Sequence, residues 1–183
     1  SYFHTYKLPV CITRCGNIFG GGDLHFNRIV PKTIRSLLHN EQPTIRSNGL
    51  LVRDYVYVKD VVHGYLTLAE KMDDTSLLGQ VFNLSEGRPL TVLEIVHAIA
   101  KIMDKGPIYP SIQGNNTGEI EEQYLSCEKA RKLLDWQPVY GLEKGLLETH
   151  QWYLHFFNQQ NQNRNDQIQL LKKEANVSEK NHI

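Results

Sequence analysis

TRCGNIFGGGDLHFNRIVP, residues 13–31, is the stretch that decides the fold of this chain. A short apolar run at residues 9–14 leads into its glycine-rich loop, and a helical pattern follows from residue 28. β-branched apolar residues that end at glycines are typical of a buried strand and the turn after it. In an α/β protein, ligands bind at the carboxyl ends of such strands. The stretch therefore predicts a ligand-binding loop between a strand and a helix.

The glycine-rich loop at residues 16–22 fits neither of the two common phosphate-binding motifs. Its spacing is not GxGxxG, and the next helix starts too late to direct its N-terminus at a pyrophosphate. No Gly-Lys-Ser/Thr sequence follows, so the loop is not a P-loop. A turn that needs positive φ angles is the alternative to a binding role, and the pattern alone leaves both open.

Strand and helix patterns alternate along the rest of the chain, which favours an α/β fold. Strands are predicted at 9–14, 51–58 and 81–84, and helices at 28–39, 61–71 and about 142–157. Alternation along the strand at 51–58 predicts two opposite faces, one with Leu51, Arg53, Tyr55 and Tyr57 and the other with Val52, Asp54, Val56 and Val58. Asp60 is placed to cap the helix at 61–71. Thr91 and Glu94 have the spacing of a capping box ahead of a further helix.

Composition and charge exclude several classes of protein. Lys and Arg together number 20, as do Asp and Glu, so the formal net charge is zero and a nucleic-acid-binding role is not favoured. No apolar run approaches the ~20 residues of a membrane span. Three cysteines without a CxxC motif and eight histidines without metal-ligand spacing predict a cytoplasmic protein with no metal site.

The two ends of the chain differ in character from its middle. The first seven residues look like the last turns of an amphipathic helix, and the strand at 9–14 needs sheet neighbours that the chain does not supply. We therefore expect that an N-terminal portion is missing. From Asn158 the sequence is rich in Asn and Gln and poor in apolar residues, so 158–183 is predicted to be a mostly disordered tail with a weak helical pattern at 168–175.

Four segments, in order, resemble one protein family. Residues 13–20 and 49–61 resemble the strand–loop and Gly-x-x-x-Arg-Asp-Tyr/Phe segments of the extended short-chain dehydrogenase/reductases, which include nucleotide-sugar epimerases and dehydratases. Residues 82–84 and 129–138 resemble two later signatures, the last with Asp135 in the usual Gly place. The resemblance implies that residues 1–157 are the C-terminal portion of such an α/β enzyme, with an incomplete Rossmann-type parallel sheet and a smaller α/β substrate-binding subdomain.

Within that family the chain is most similar to the CDP-glucose 4,6-dehydratases. The triple glycine followed by Asp23 and Leu24 is the most discriminating feature, because most relatives have a single Gly-Pro there. The resemblance implies a lyase that oxidises the sugar of CDP-glucose at C4 with NAD, eliminates water across C5 and C6, and returns the hydride to C6. A fragment of a dTDP-, UDP- or GDP-sugar epimerase or dehydratase stays open as an alternative, as does a non-enzymatic interaction protein that acts through its tail.

The resemblance also implies which side chains bind the ligands. Substrate contacts are expected from Asn17, Asn27, Arg28, Arg46, Arg53 and Asn83, and a contact with the nicotinamide end of the cofactor from Cys15. Arg53 is expected to grip the pyrophosphate, since its guanidinium fork matches two phosphate oxygens. Arg46 is expected to stack on the base. Glu121 and Glu122 replace basic groups of relatives, so either their side chains face solvent or phosphate binding is weakened.

Catalysis in this family needs a Tyr-x-x-x-Lys pair and a Ser or Thr, which lie upstream of the segment where this chain begins. Neither Tyr2 nor Tyr6 begins such a pair, and the N-terminal glycine motif that binds NAD is also absent. We therefore expect no catalytic residue in this chain and no activity from the chain alone. The full-length protein is expected to form a homodimer, as family members commonly do.

Overall fold

Helices and strands alternate along the chain in the computed structural model, which describes residues 2–115 and 118–180, with side chains up to residue 168. The helices are α1 (Tyr2–Tyr6), α2 (Ile29–Leu38), α3 (Val58–Glu70), α4 (Val92–Ile102), α5 (Glu128–Leu134) and α6 (Gly141–Lys180). The strands are β1 (Ile12–Cys15), β2 (Asn17–Phe19), β3 (Thr44–Ile45), β4 (Val52–Tyr57), β5 (Val81–Leu84), β6 (Pro89–Thr91), β7 (Ser111–Ile112) and β8 (Glu122–Gln123). A 3₁₀ turn spans Thr75–Leu77.

The strands form three small sheets in the described part of the chain, and most of the pairings are parallel. β1 pairs in parallel with β5, with Ile12 opposite Val81 and Cys15 opposite Leu84. β4 is the centre of the largest sheet, where β2 and β8 pair with it in parallel and β6 antiparallel. β3 and β7 form the third sheet, also in parallel. This arrangement confirms the predicted α/β class.

Two hydrophobic cores lie on opposite sides of β4, because side chains alternate along a strand. Tyr55 and Tyr57 face the first core, which α2, α4 and α6 cover. Val56 faces the second core, where Phe82 and Trp136 are fully buried. The predicted alternation is therefore confirmed within Val52–Tyr57, and it directs Arg53 to the same side as the two tyrosines. It is wrong at Val58, which begins α3 and packs against the first core.

Predicted helices are present with shifted ends. The capping box is confirmed, since the Thr91 hydroxyl accepts from the Glu94 backbone N–H at 3.1 Å and the Glu94 carboxylate accepts from the Thr91 N–H at 2.7 Å. The predicted cap by Asp60 is wrong, because α3 begins at Val58 and Asp60 lies inside its first turn. The Asp60 carboxylate instead accepts hydrogen bonds from the backbone where α6 starts.

The last helix is much longer than predicted. α6 runs to Lys180, whereas the sequence analysis predicted a helix end near 157 and a disordered tail; residues 181–183 of that tail lie outside the described part. No Pro or Gly occurs after Gly145, so the sequence has no helix breaker there. Side chains from 158 to 168 are exposed, so hydrophobic packing does not hold this part of the helix. In the described residues, no helix has the length and hydropathy needed to cross a membrane.

Candidate functional site

A cavity of about 570 Å³ lies between the glycine-rich loop, the N-terminal end of α2, and β4. Five of the six side chains predicted to bind substrate line it: Asn17, Asn27, Arg28, Arg46 and Arg53. They come from four separate parts of the chain, since β2 pairs with β4 and α2 packs beside them. The structure therefore brings the predicted binding residues together around one space, with apolar walls from the loop and α2.

Arg53 is the most firmly held cation of this cavity. Its side chain is 14% exposed, and its Nη1 donates to the Val52 carbonyl at 2.8 Å and to the Glu121 carbonyl at 3.4 Å. Its Nη2 lies 3.4 Å from a carboxylate oxygen of Glu119. The Val52 and Glu121 carbonyls thus hold one side of the guanidinium in place, and Arg53 lines the cavity with its positive charge.

Asp54 is not the partner of Arg53. It lies on the opposite side of β4, where it is 2% exposed and accepts from the Leu125 backbone N–H at 3.2 Å. A Cβ at Gly16 would come within 2.8 Å of the Asp54 carbonyl oxygen, so the loop can approach β4 this closely only with glycine at position 16. Asp54 and Gly16 therefore set the distance between the loop and the strand that carries Arg53.

A smaller cavity of about 140 Å³ adjoins the first and shares Asn27, Arg46 and Arg53 with it. Lys32 and Glu119 also line it, and the sequence analysis assigned neither of them. Burial lowers the pKa of Lys32, and the neighbouring charges of Arg46 and Arg35 lower it further. The positive charges of Lys32, Arg35 and Arg46 repel one another, so they stabilise an anion that binds in this smaller cavity.

Arg28 is fixed at the entrance of α2 by the glycine-rich loop. Its Nη1 lies 3.1 Å from a carboxylate oxygen of Asp23, whose other oxygen accepts from the His25 N–H at 3.0 Å. The Asp23 carbonyl in turn accepts from the Tyr153 hydroxyl of α6. A Cβ at Gly21 would clash with the Trp152 ring. The triple glycine and Asp23 thus hold the loop between α2 and α6.

Two predicted binding residues lie outside the cavity. Asn83, on β5, donates from its amide to the Ser126 carbonyl at 3.0 Å, a contact that ties β5 to the start of α5. Cys15 ends β1, and its sulfur lies 3.8 Å from the Tyr65 hydroxyl. Burial raises the pKa of the Cys15 thiol, which is therefore neutral near pH 7. The ligand-binding roles of both residues stay predictions.

Glu121 and Glu122 do not face the cavity. Both residues are exposed, and Glu122 lies in β8, paired with β4. The Glu121 carbonyl accepts from the Val52 N–H at 2.8 Å. Of the two expectations for these carboxylates, the structure agrees with side chains that face solvent. In the residues that the structure describes, no group of three or more His, Cys, Asp or Glu side chains could hold a metal ion.

Two Tyr-x-x-x-Lys spacings, Tyr140 with Lys144 and Tyr55 with Lys59, do occur in this chain and were missed in the sequence analysis. Neither Tyr140 nor Lys144 lines the cavity, which leaves the spacing of Tyr55 and Lys59 to consider. Tyr55 lies on β4 and lines the cavity, whereas Lys59 lies on α3, where its Nζ is 2.6 Å from a carboxylate oxygen of Glu148. Burial raises the pKa of Tyr55, so its hydroxyl stays protonated near pH 7. The spacing therefore does not form a lysine-activated tyrosine base.

Comparison with known proteins shows which family and fold this chain resembles. Residues 1–85 match the NAD dependent epimerase/dehydratase family. The chain is 28% identical to dTDP-D-glucose 4,6-dehydratase of Mus musculus over 166 residues, which are 84% of this chain and 43% of that protein. The chain spans less than half the length of the first curated relatives that it matches.

Solved structures of nucleotide-sugar epimerases and dehydratases share the fold of this chain. UDP-glucose 4-epimerase of Thermotoga maritima is 28% identical, with a TM-score of 0.76 over 85% of this chain and 49% of that one. dTDP-glucose 4,6-dehydratase of Bacillus anthracis is also 28% identical, with a TM-score of 0.69 over 84% of this chain and 47% of that one. These similarities confirm the Rossmann-type α/β fold, and the homologues include nucleotide-sugar 4,6-dehydratases and 4-epimerases.

Proposed function

We propose that this chain is the C-terminal, sugar-nucleotide-binding part of an NAD-dependent epimerase/dehydratase. The observation that carries the proposal is Arg53, whose guanidinium is fixed by two backbone carbonyls at the wall of a cavity that Arg46 also lines. A half-buried arginine fork suits the pyrophosphate of a nucleoside-diphosphate sugar. The names of the relatives support the same substrate class, because they act on dTDP-glucose and UDP-glucose.

For the nucleotide itself we favour CDP-glucose. The support is the triple glycine with Asp23, which holds Arg28 at the entrance of α2, and Arg46, whose planar guanidinium can stack on cytosine. The reaction that follows from this substrate is a 4,6-dehydration. dTDP- and UDP-glucose are the alternatives, which the names of the relatives favour.

NAD is proposed to approach the site at the carboxyl end of β1. When bound, it supplies reversible hydride transfer, and the residues of this chain that would touch its nicotinamide end are Cys15 and Gly16. A neutral, half-buried thiol would pack beside the nicotinamide ring and would not act as a nucleophile there. The chain's own task is to bind and orient the sugar nucleotide through Arg53 and its neighbours.

We further propose that the rest of the enzyme packs against β1 and α3. Among the described residues β1 pairs with β5 alone, and its Ile12 is 51% exposed. Apolar side chains of α3 are exposed near this edge: Val62, Tyr65 and Leu66. Parallel strands are rarely left with an uncovered edge and face, so an added parallel strand fits here. The catalytic Tyr and Lys would come from that portion, and this chain alone binds substrate without turning it over.

Isothermal titration of the chain with CDP-, dTDP- and UDP-glucose tests this function. We expect the wild type to bind, with the tightest binding to CDP-glucose. Arg53→Ala should weaken binding by a factor of ten or more, because hydrogen bonds to a charged group contribute about 1.5–3 kcal/mol. Arg88→Ala is the matched control, since Arg88 is exposed and pairs with Glu143 away from the cavity.

The titrations test three parts of the proposal separately: binding of a sugar nucleotide, the identity of its base, and the lack of activity of the chain alone. Wild type that binds none of the three sugar nucleotides, or Arg53→Ala that binds as the wild type does, contradicts the proposed function. Tighter binding of dTDP- or UDP-glucose contradicts the assignment of the base alone. Formation of a 4-keto product by the isolated chain with NAD would show that the chain is not only a binding part.

A further inference from the structure

Tyr55 is a buried tyrosine in the wall of the cavity, and no hydrogen bond within the described part of the protein holds its hydroxyl. It lies on β4 two residues after Arg53 and on the same side of the strand, opposite Asn17 of β2. It is 3% exposed and lines the cavity together with Arg53 and Asn17. A large polar side chain is therefore enclosed next to two residues, Arg53 and Asn17, that the proposed function assigns to ligand binding.

The Tyr55 hydroxyl has no hydrogen-bond partner among the described residues, although it is buried. A buried hydroxyl without a partner destabilises a protein, and most buried polar groups are paired. Phenylalanine would fill the same space without this cost. A tyrosine here is therefore explained best by a partner that the ligand supplies.

The chemistry of the hydroxyl indicates what that partner is. Because burial raises the pKa of Tyr55, the group is a neutral O–H donor near pH 7. Arg53 and Tyr55 lie two residues apart on the same side of β4 and line one cavity, so an anionic oxygen held by Arg53 lies on the side of the strand that carries this second donor. The hydroxyl is enclosed in this structure, so the contact requires the Tyr55 side chain to turn toward the ligand. Hydrogen bonds to charged acceptors are the stronger ones.

We propose that the Tyr55 hydroxyl donates a hydrogen bond to a phosphate oxygen of the nucleotide ligand, beside Arg53. This inference rests on the proposed function, and it adds a ligand-binding residue that the motif analysis did not identify. It assigns Tyr55 to binding and not to proton transfer, since Lys59, four residues later, is paired with Glu148.

The test compares Tyr55→Phe with Tyr57→Phe in the complete chain. The two tyrosines share one side of β4 and are both buried, but the Tyr57 hydroxyl donates to Glu148 at 2.7 Å. Tyr55→Phe should weaken binding of CDP-glucose and of CDP by about tenfold, as expected for one hydrogen bond to a charged group, without lowering the unfolding temperature of the free protein. Tyr57→Phe should lower that temperature and leave the affinity unchanged.

Three results would overturn the inference. The first is a Tyr55→Phe protein that binds both probes as tightly as the wild type. The second is a loss of affinity for CDP-glucose but not for CDP, which would place the hydroxyl against the sugar. The third is a drop in unfolding temperature equal to that of Tyr57→Phe, which would show a partner within the protein. If Arg53→Ala loses binding while Tyr55→Phe does not, the proposed function stands and only this inference fails.

Discussion

Asp60 is the residue on which the connection between α5 and α6 depends. Its carboxylate is 1% exposed and accepts from three successive backbone N–H groups, those of Val139 at 2.7 Å, Tyr140 at 2.9 Å and Gly141 at 3.1 Å. These donors lie at the first turn of α6, where a negative charge also interacts favourably with the helix dipole. The Asp60 carboxylate of α3 thus accepts the hydrogen bonds of the backbone N–H groups at the start of α6, about 80 residues later.

Removal of this carboxylate should destabilise the protein strongly. Asp60→Ala leaves three backbone N–H groups without the carboxylate that accepts from them, so we expect the free energy of unfolding to fall by about 3 kcal/mol. Asp60→Asn, which keeps one acceptor oxygen, should cost less. Urea denaturation measures both, with Asp166→Ala, an exposed carboxylate, as the control. A cost for Asp60→Ala no larger than that of the control would contradict this role.

At the scale of single residues, the sequence predicted correctly what depends on the geometry of one strand alone. Alternation along β4 predicted that Arg53 and Asp54 face opposite ways, and the structure confirms it. Glu119 was not predicted beside Arg53, because it reaches the site only through the pairing of β8 with β4. The local sequence has no signal for a contact across 66 residues.

At the scale of elements, Glu148 joins α6 to β4 and α3. Its carboxylate accepts from Lys59 Nζ at 2.6 Å and from the Tyr57 hydroxyl at 2.7 Å. These two hydrogen bonds are the main reason that the pKa of Glu148 lies below its usual value of 4.5. The ionised carboxylate is therefore more stable in the folded protein than in the unfolded chain.

This linkage predicts how stability depends on pH. A carboxylate with a lowered folded pKa contributes stability above its unfolded pKa, and the contribution is lost as the pH falls through the folded pKa. Glu148→Gln should therefore be less stable than the wild type near pH 7, by about 1 kcal/mol, and the difference should shrink as the pH falls below the usual glutamate pKa of 4.5. Chemical denaturation across this range measures it, and a difference that does not change with pH would contradict the linkage.

Helix ends show where local signals are sufficient. The capping box at Thr91 was predicted from two residues three positions apart, since the whole device is local. Asp135 follows α5 with a left-handed φ of 55°, a conformation that glycine adopts most readily at the end of a helix. The start of α3 was misplaced by three residues because Asp60 matches the cap signal locally but is used by a distant segment.

At the scale of the whole molecule, the last part of α6 contributes little to the fold. Aromatic packing against α2 and the loop ends near Phe157, and the described side chains beyond it are exposed. Most helical stability in proteins comes from packing against the rest of the fold, which the described side chains of α6 after Phe157 do not make.

A chain that ends at Asn158 should therefore keep its stability. We expect the free energy of unfolding to change by less than about 0.5 kcal/mol, as is usual for surface changes, while the helical signal in far-UV circular dichroism falls. Binding of sugar nucleotides should be unchanged. A loss of more than about 1 kcal/mol would show that residues beyond 158 pack against the folded part.

The sequence by itself determined the α/β class and the two-sided character of β4, because these follow from periodicity, and its resemblance to a family pointed to five residues that line the cavity. The tertiary structure decided what depends on contacts between distant segments. It placed Asn83 against the backbone before α5, turned Lys59 toward Glu148, and enclosed the unpaired Tyr55 hydroxyl beside Arg53. Burial and pairing of polar atoms are set by the packing of whole elements, so no short stretch of sequence encodes them.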